Sequence, residues 1–461
     1  MKTTLLGLAA AAVMAINPAF AEDATGSWSG TIANTLNVIL VFDKPADGPW
    51  VGTMSVPQQQ LVRKVQNLVV TPDQVSFALA EFNASYSARW NEQDKAWTGT
   101  WTQGQATPLV LKRASATTLE ALKPKRPQED AIAARAPVYA SSEVSFTNDA
   151  AKVTLAGTIT VPQGKGPFPA VVLVHGSGSI NRDGDVFGHK SFLVLADHLS
   201  RQGIAVLRYD KRGIGKSSGS LQNATTYDLA ADAEAAVRFL RSRADVDTRH
   251  IGVVGLSEGG MIAPLLASRD PALGFVVMLA GPGVRGEHLL VEQLALSAKA
   301  RGAPDAAVAK ERALNQALFL AFSSEPKLED GKNKARLLIA EAERKGDLPA
   351  GKGEAIFKRF ATPWFHTMLS YEPGPVLQAT RQPILVLNGE LDLQVPAALD
   401  LPPIRAALKN NARAVIREMP KLNHLFQTAK TGSTAEYFDI EETMAQVALD
   451  TVSDWIRATV R

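Results

Sequence analysis

The sequence contains no cysteine among its 461 residues. That absence excludes disulfide bonds, thiol nucleophiles and cysteine-ligated metal centres. An excess of charge of one sign is also missing, because 49 basic residues face 46 acidic ones and leave a formal net charge of +3. So small a charge gives no electrostatic basis for nucleic-acid binding. With 46% hydrophobic and 21% charged residues, the composition is that of an ordinary globular protein.

Long uncharged apolar runs are confined to the N-terminus. There Lys2 precedes an apolar stretch from Leu5 to Ile16, and Ala19-Phe20-Ala21 follows it. A short apolar stretch before a small-residue site is typical of a signal peptide, which we place at residues 1–21. We therefore expect an exported bacterial protein, periplasmic or secreted, without a membrane span in the mature chain.

Residues 22–113 consist of short alternating stretches separated by turn residues, which predicts a small antiparallel β-domain. Five of the seven tryptophans fall in this region. Their rings could form an exposed platform for a carbohydrate or another polymer, but tryptophans in so small a domain more often fill its core. Residues 114–140, rich in Ala, Lys, Arg and Pro, are interpreted as a linker.

From residue 141 to 461 buried apolar strands alternate with amphipathic helices, a pattern that predicts a mostly parallel sheet covered on both faces. The expected strands are Ala170–Val174, Ala205–Leu207, Ile251–Gly255, Phe275–Leu279 and Ile384–Leu387. Between about residues 285 and 370 the strand signal disappears and charged helical segments replace it, which we interpret as a helical cap.

The sequence Gly255-Leu256-Ser257-Glu258-Gly259 matches Gly-x-Ser-x-Gly between a buried strand and the helical segment Met261–Ser268. This is the context of a nucleophile elbow, so Ser257 is the candidate nucleophile. A serine hydroxyl needs a base, and the base needs an orienting acid. The strand that ends in Gly389-Glu390-Leu391-Asp392 makes Asp392 the candidate acid, with Glu390 and Asp400 as competitors. Beyond it lies one histidine, His424, the candidate base.

The strand before Val174-His175-Gly176-Ser177-Gly178 ends in a glycine-rich turn, where free backbone amides can bind an oxyanion. We assign one donor to the amide of Ser177, with Gly178 as a substitute, and the other to the amide of Glu258. His175 is expected to brace this turn. The segment Arg208–Ser217 lacks the spacing of a phosphate-binding loop, which favours a structural turn. Asp183, Asp185 and His189 lack a second ligand cluster, so we interpret them as solvated loop residues.

Taken together, these ordered motifs resemble those of the α/β-hydrolase superfamily, in particular bacterial EstD-like esterases and serine aminopeptidase-like hydrolases. The matching segments are His175–Gly178, Tyr209–Gly215, Gly255–Gly260, Gly389–Asp392 and Asn423-His424. The resemblance covers about two thirds of the chain, and such esterases often carry an N-terminal β-rich extension. It implies hydrolysis of a small-molecule acyl ester through an acyl-enzyme, without a metal or organic cofactor.

Two other functions stay open at this point. A peptidase or amidase could use the same triad, with Glu258 or a cap acid receiving the substrate's amine. A non-catalytic envelope protein could bind a ligand through its β-domain. Acyl-chain preference would depend on the cap, where Trp364 and Phe365 are candidates for the pocket lining.

Overall fold

A computed structural model of the chain describes residues 24–33, 35–59 and 61–461. The predicted signal peptide, residues 1–21, lies outside the described residues. The chain divides into two compact units, with the boundary after Pro124. In the described ranges, no helix combines the length and apolar character that a bilayer-spanning segment needs.

The first unit is a nine-stranded antiparallel sheet in the order β4-β3-β2-β1-β9-β8-β7-β6-β5, which confirms the predicted β-domain. A short helix, α1 (Ala116–Ala121), follows the last strand. The strands are β1 (Gly26–Ile32), β2 (Leu36–Asp43), β3 (Val51–Val56), β4 (Leu61–Lys64), β5 (Gln66–Val70), β6 (Gln74–Leu79), β7 (Ala84–Asn91), β8 (Ala96–Gln103) and β9 (Gln105–Arg113).

The tryptophans of this unit lie mainly in its core. Trp28, Trp97 and Trp101 are buried, while Trp50 and Trp90 are half-buried and pack against the same apolar cluster. Trp28, Trp90 and Trp97 contact one another edge to face, with ring centroids 5.1 to 6.1 Å apart. Rings that stabilise one another in this way are unavailable as an exposed binding platform.

The second unit contains an eight-stranded mixed sheet in the order β10-β11-β15-β12-β16-β17-β18-β19. From β15 to β19 all neighbours are parallel, and β11 pairs antiparallel with β10 and β15. Its strands are β10 (Tyr139–Asn148), β11 (Val153–Pro162), β12 (Phe168–Val174), β15 (Ala205–Tyr209), β16 (Val246–Leu256), β17 (Phe275–Leu279), β18 (Ile384–Gly389) and β19 (Ala414–Met419), and a separate small ribbon comprises β13 (Asp185–Val186) and β14 (His189–Lys190).

Helices cover both faces of this sheet, as predicted. Leu229 and Ile262 belong to the apolar core on one face, and Phe192 and Leu449 to the core on the other. The helices are α2 (Pro127–Ala134), α3 (Ser191–Arg201), α4 (Thr226–Arg241), α5 (Glu258–Arg269), α6 (Gly286–Ala300), α7 (Asp305–Ser323), α8 (Leu328–Lys345), α9 (Gly353–Phe360), α10 (Pro363–Ser370), α11 (Pro373–Ala379), α12 (Ala397–Ala407) and α13 (Gln446–Thr459).

The insertion between β17 and β18 is entirely helical in its regular structure. Helices α6 to α10 lie between residues 286 and 370 and form a hydrophobic core of their own around Phe319, Phe360 and Phe365. We call these five helices the cap. The segment predicted as a linker contains two short helices, α1 and α2, one in each unit.

Candidate active site

Ser257 stands in the sharp turn between β16 and α5. Its φ of 58° and ψ of −115° are unusual for a residue with a side chain, and they reverse the chain within one residue. The helix begins directly at Glu258, three residues earlier than the sequence predicts. Gly259 makes the tight packing possible, because a Cβ there would lie 2.0 Å from the carbonyl oxygen of Val174. This strand, turn and helix have the form of a nucleophile elbow.

Asp392 and His424 lie against each other at the same edge of the sheet, where β18 and β19 end. His424 Nδ1 donates a hydrogen bond to Asp392 Oδ2 over 2.8 Å. Asp392 Oδ1 accepts hydrogen bonds from the backbone amides of Gln394 and Val395, each at 2.8 Å. Both side chains are buried. Because each carboxylate oxygen of Asp392 accepts at least one hydrogen bond, the orientation of the carboxylate is fixed.

The structure therefore brings the predicted acid and base into direct contact. Ser257 lies at the same carboxyl edge, directly after the end of β16, which is two strands from β18 in the order of the sheet. Among the described residues its hydroxyl has no hydrogen-bond partner, and none joins it to His424. The competing acids lie elsewhere. Glu390 is exposed and accepts from the Lys421 amide, and Asp400 accepts from the amides of Gly283 and Val284.

The turn that carries His424 is held by a chain of buried polar side chains. Asn423 Oδ1 accepts from the amides of Leu425 and Gln427, both at 3.0 Å, and its Nδ2 donates to Gln427 Oε1. Gln427 Nε2 then lies 2.8 Å from His189 Nε2. A loop with this many internal hydrogen bonds fixes the backbone from which the His424 ring projects.

His189 is the far end of that chain. His189 Nδ1 lies 2.8 Å from the hydroxyl of Thr443, which in turn donates to Glu129 Oε1, and His189 Nε2 lies 2.8 Å from the carbonyl oxygen of Tyr437. Burial lowers the pKa of His189 to about 4, which keeps the ring neutral. The interpretation of His189 as a solvated loop residue is thus wrong, because the ring is buried within the fold. In the described ranges no group of three or more His, Cys, Asp or Glu residues is arranged to hold a metal ion.

The glycine-rich turn after β12 lies directly beside the elbow. A Cβ on Gly176 would lie 3.1 Å from the Ser257 Cβ and 3.7 Å from its Oγ. The candidate oxyanion donors, the amides of Ser177 and Glu258, belong to the two segments that meet here. His175 packs behind them against the ring of Phe192, with centroids 4.6 Å apart, and burial lowers its pKa to about 3. A neutral, buried ring packed against Phe192 is consistent with a structural role for His175.

The side chain of Glu258 is fully buried and has its own partners. Its Oε1 accepts from the hydroxyl of Thr226 over 2.8 Å and from Nε1 of Trp364 over 2.7 Å. Its Oε2 lies 3.6 Å from Nζ of Lys211. This carboxylate is therefore not open to receive a substrate amine, which removes the anionic subsite that a peptidase could have drawn from Glu258.

Trp364 and Phe365, adjacent in sequence, serve different parts of the structure. Phe365 lies in the core of the cap, with its ring centroid 4.5 Å from that of Phe360. Trp364 is half-buried and reaches the elbow helix through its hydrogen bond to Glu258. Beside it Met261, Met368 and Val395 form a small apolar cluster that joins the elbow helix, the cap and the loop after Asp392. The cap thus contacts the segment that carries Ser257.

The segment Arg208–Ser217 comprises the end of β15 and the structural turn after it, and its charges are organised in a way that sequence reasoning missed. Asp210 accepts from the Nη2 and main-chain N–H of Arg182, Lys211 donates to the turn after β12, and Arg212 pairs with Asp232 in α4 over 2.7 Å. Three consecutive charged residues therefore bind three different elements. Because the partners are remote in sequence, no local pattern reveals them.

Comparisons with known proteins agree with this architecture. The model of the Alpha/beta hydrolase family matches residues 171–434. Esterase EstD of Thermotoga maritima is 28% identical over 320 residues, which cover 69% of each chain. Esterase FrsA of Klebsiella pneumoniae is 31% identical over 140 residues, which cover 30% of this chain and 31% of the relative.

Among solved structures, the esterase Pf2001 of Pyrococcus furiosus superimposes with a TM-score of 0.43 at 15% identity, over 70% of this chain and 92% of the other. Est1E of Butyrivibrio proteoclasticus, solved with ferulic acid bound, gives a TM-score of 0.43 at 14% identity, over 69% and 99%. The family model spans more than half of the sequence, from β12, the first strand of the parallel region along the chain, to beyond the candidate base. This chain therefore belongs to the alpha/beta hydrolase family.

Proposed function

We propose that this protein is a serine carboxylesterase in which Ser257 is the nucleophile, His424 the general base and Asp392 the acid that orients it. The observation that carries the proposal is the 2.8 Å hydrogen bond between His424 and Asp392 at the sheet edge that also holds the elbow. The similarity to Esterase EstD supports an ester as the substrate.

In the proposed reaction, Ser257 Oγ attacks the ester carbonyl carbon while His424 Nε2 takes the hydroxyl proton. Asp392 accepts from Nδ1–H, which leaves the lone pair at Nε2 and stabilises the imidazolium that forms. The tetrahedral oxyanion receives hydrogen bonds from the amides of Ser177 and Glu258. His424 then returns the proton to the leaving alkoxide, which departs as an alcohol and leaves an acyl-serine. Water, activated by the same histidine, releases the carboxylic acid and restores Ser257.

The free hydroxyl of Ser257 is compatible with this sequence of steps. Catalytic hydrogen bonds in an unliganded site are often long and close only when the substrate is bound. The strained elbow holds the hydroxyl exposed in front of the helix, and Ser257 is half-buried rather than enclosed.

The test is Ser257→Ala, assayed with p-nitrophenyl acetate and butyrate, and labelling of the wild type with a fluorophosphonate probe. We expect the variant to lose turnover and labelling while its circular dichroism and melting temperature stay close to those of the wild type. Ser268→Ala is the matched control, because Ser268 lies at the far end of the same helix and, within the described part of the chain, its hydroxyl donates only to the Leu265 carbonyl. Undiminished hydrolysis by Ser257→Ala would refute the proposal. Failure of the probe to label the wild-type protein would also refute it, because a serine hydrolase should react.

We further propose that the protein is exported after cleavage behind Ala21. The Ala19-Phe20-Ala21 site after a short apolar run supports this. Mass spectrometry of the protein from a periplasmic extract should find an N-terminus at Glu22, and a full-length chain confined to the cytoplasm would contradict it.

A further inference from the structure

Lys211 is a buried lysine whose ammonium group points at the turn beside the elbow. Its Nζ donates to the carbonyl oxygen of Gly176 over 2.6 Å and to that of Gly178 over 3.2 Å. Glu258 Oε2 lies 3.6 Å away. Only 5% of the lysine side chain and none of the glutamate side chain is exposed, so the ammonium has exchanged its water shell for these three oxygens.

The three oxygens belong to the residues that frame the candidate oxyanion hole. Gly176 and Gly178 flank Ser177, whose amide is one donor, and Glu258 supplies the other donor through its own amide. An ammonium group has three protons and so can direct one toward each oxygen. A single side chain thus connects the backbone of one donor segment with the side chain of the residue whose amide is the other donor.

Because these groups are buried, forming the contact costs desolvation free energy, and removal of one partner destabilises the others. Desolvation lowers the pKa of Lys211, and the nearby Glu258 carboxylate opposes that effect. Loss of the lysine would leave Glu258 Oε2, which has no hydrogen-bond partner among the residues that the structure describes, as an uncompensated charge in the core. The carbonyls of Gly176 and Gly178 would lose the same donor, and the turn would be free to rotate its amides.

We propose that Lys211 is a positioning residue that sets the relative placement of the two oxyanion-hole amides, through the carbonyls of Gly176 and Gly178 and the carboxylate of Glu258. The inference rests on the proposed function, because it concerns the same oxyanion hole. Lys211 itself touches neither the substrate nor the reacting atoms. It acts by holding the donors where the negative charge develops, and so affects the transition state more than substrate binding.

The test is Lys211→Met, which keeps the length of the stem and removes the ammonium. We expect kcat for p-nitrophenyl butyrate to fall about 100-fold, the usual cost of misplacing a catalytic group by about an ångström. KM should stay within about threefold, because ground-state binding does not use the oxyanion hole. Affinity for a trifluoromethyl ketone, which forms a tetrahedral adduct with the serine, should fall in proportion to kcat/KM.

Lys216→Met is the matched control, since Lys216 lies in the same turn but is exposed and pairs with Glu143 on the surface. The double variant Lys211→Met with Glu258→Gln removes both buried charges and keeps an acceptor for Thr226 and Trp364. We expect it to recover melting temperature relative to Lys211→Met while kcat stays low. This variant also carries the kinetic test if the single variant does not fold.

A wild-type kcat in folded Lys211→Met, or in the folded double variant, would overturn the inference. So would a kcat that falls in Lys211→Met and recovers in the double variant along with the melting temperature, because the loss would then reflect stability alone. Ser257→Ala separates this result from the proposed function. If Ser257→Ala is inactive and Lys211→Met is not impaired, only the role of Lys211 is wrong; if Ser257→Ala is active, the proposed function itself fails.

Discussion

His424 donates its Nδ1 proton to Asp392 Oδ2 over 2.8 Å, and Asp392 Oδ1 is at the same time held by two backbone amides. The acid therefore cannot rotate away from the ring, and the ring has one favoured tautomer with its lone pair at Nε2. In the proposed mechanism, that lone pair receives the serine proton.

Replacement of Asp392 with Asn should therefore leave the fold in place and disable the base. An amide in this position donates to Nδ1 and reverses the tautomer, so we expect kcat to fall by about 10³- to 10⁴-fold. Glu390→Gln is the control, because this substitution makes the same change of charge two residues away from Asp392. Among the described residues, the Glu390 carboxylate accepts a hydrogen bond only from the Lys421 amide. Steady-state kinetics on an acyl ester measure both. Equal activity of the two variants would mean that another carboxylate orients His424.

The turn around His424 gives a second prediction, for Asn423. Asn423→Ala removes three buried hydrogen bonds within the turn, at about 1 kcal/mol each. We expect urea unfolding to show a loss of about 3 kcal/mol, and kcat/KM to fall about 10- to 100-fold because the base is no longer held in place.

Asn411→Ala separates the two effects. Asn411 Nδ2 donates to the carbonyls of Thr380 and Gln382 and its Oδ1 accepts from the Arg413 amide, so it also makes three hydrogen bonds, near the opposite ends of β18 and β19. It should lose similar stability with little change in kcat/KM. A parallel loss of activity in both variants would show that Asn423 acts only through overall stability.

The elements that sequence reasoning predicted best are those with a strong local pattern. The strand Phe275–Leu279 agrees with the structure residue for residue. A buried parallel strand is a continuous apolar run, so its sequence alone reveals it. The paired strands β10 and β11 were missed, although Val153, Leu155, Ile159 and Val161 of β11 alternate with polar or small residues.

The supporting side chains of the site could not be predicted in this way. Lys211 and Glu258 are 47 positions apart in the numbering of the chain, and His189 and Thr443 are further apart still, so neither pair has a periodic signature. Asp392 and His424 were accessible because the order of motifs is fixed by the sheet, whose parallel strands end at one edge. The side chains that hold Asp392 and His424 in place come together only in the folded chain, so no local sequence pattern predicts them.

A third prediction concerns the cap residue Trp364, which donates to the buried Glu258 carboxylate over 2.7 Å. Trp364→Phe keeps an aromatic ring and removes that donor. A buried hydrogen bond to a charged group contributes about 1.5–3 kcal/mol, so unfolding free energy should fall by that amount. The same substitution in a Glu258→Gln background is the matched control, because the acceptor is neutral there and the loss should be smaller. Equal losses in urea unfolding would contradict a buried, charge-assisted bond between the cap and the elbow.

The last prediction is a pH dependence at Asp400, which anchors the chain where it leaves β17 for the cap. Burial raises its pKa to about 6, and the nearby Asp392 charge acts in the same direction. Because the folded value lies above that of the unfolded chain, the native protein binds the extra proton between about pH 4 and pH 6. The contribution of Asp400 to the free energy of unfolding is therefore at its maximum below this pH range and is lost as the pH rises through about 6.

Asp400→Asn removes the titration and keeps an oxygen that can accept from the amides of Gly283 and Val284. Any constant cost of the substitution cancels when the two proteins are compared at two pH values. We expect the unfolding free energy of the variant, relative to the wild type, to increase by about 1 kcal/mol between pH 5 and pH 8. Urea unfolding of both proteins at each pH measures this. A difference that is the same at both pH values would mean that Asp400 has an ordinary pKa in the folded protein.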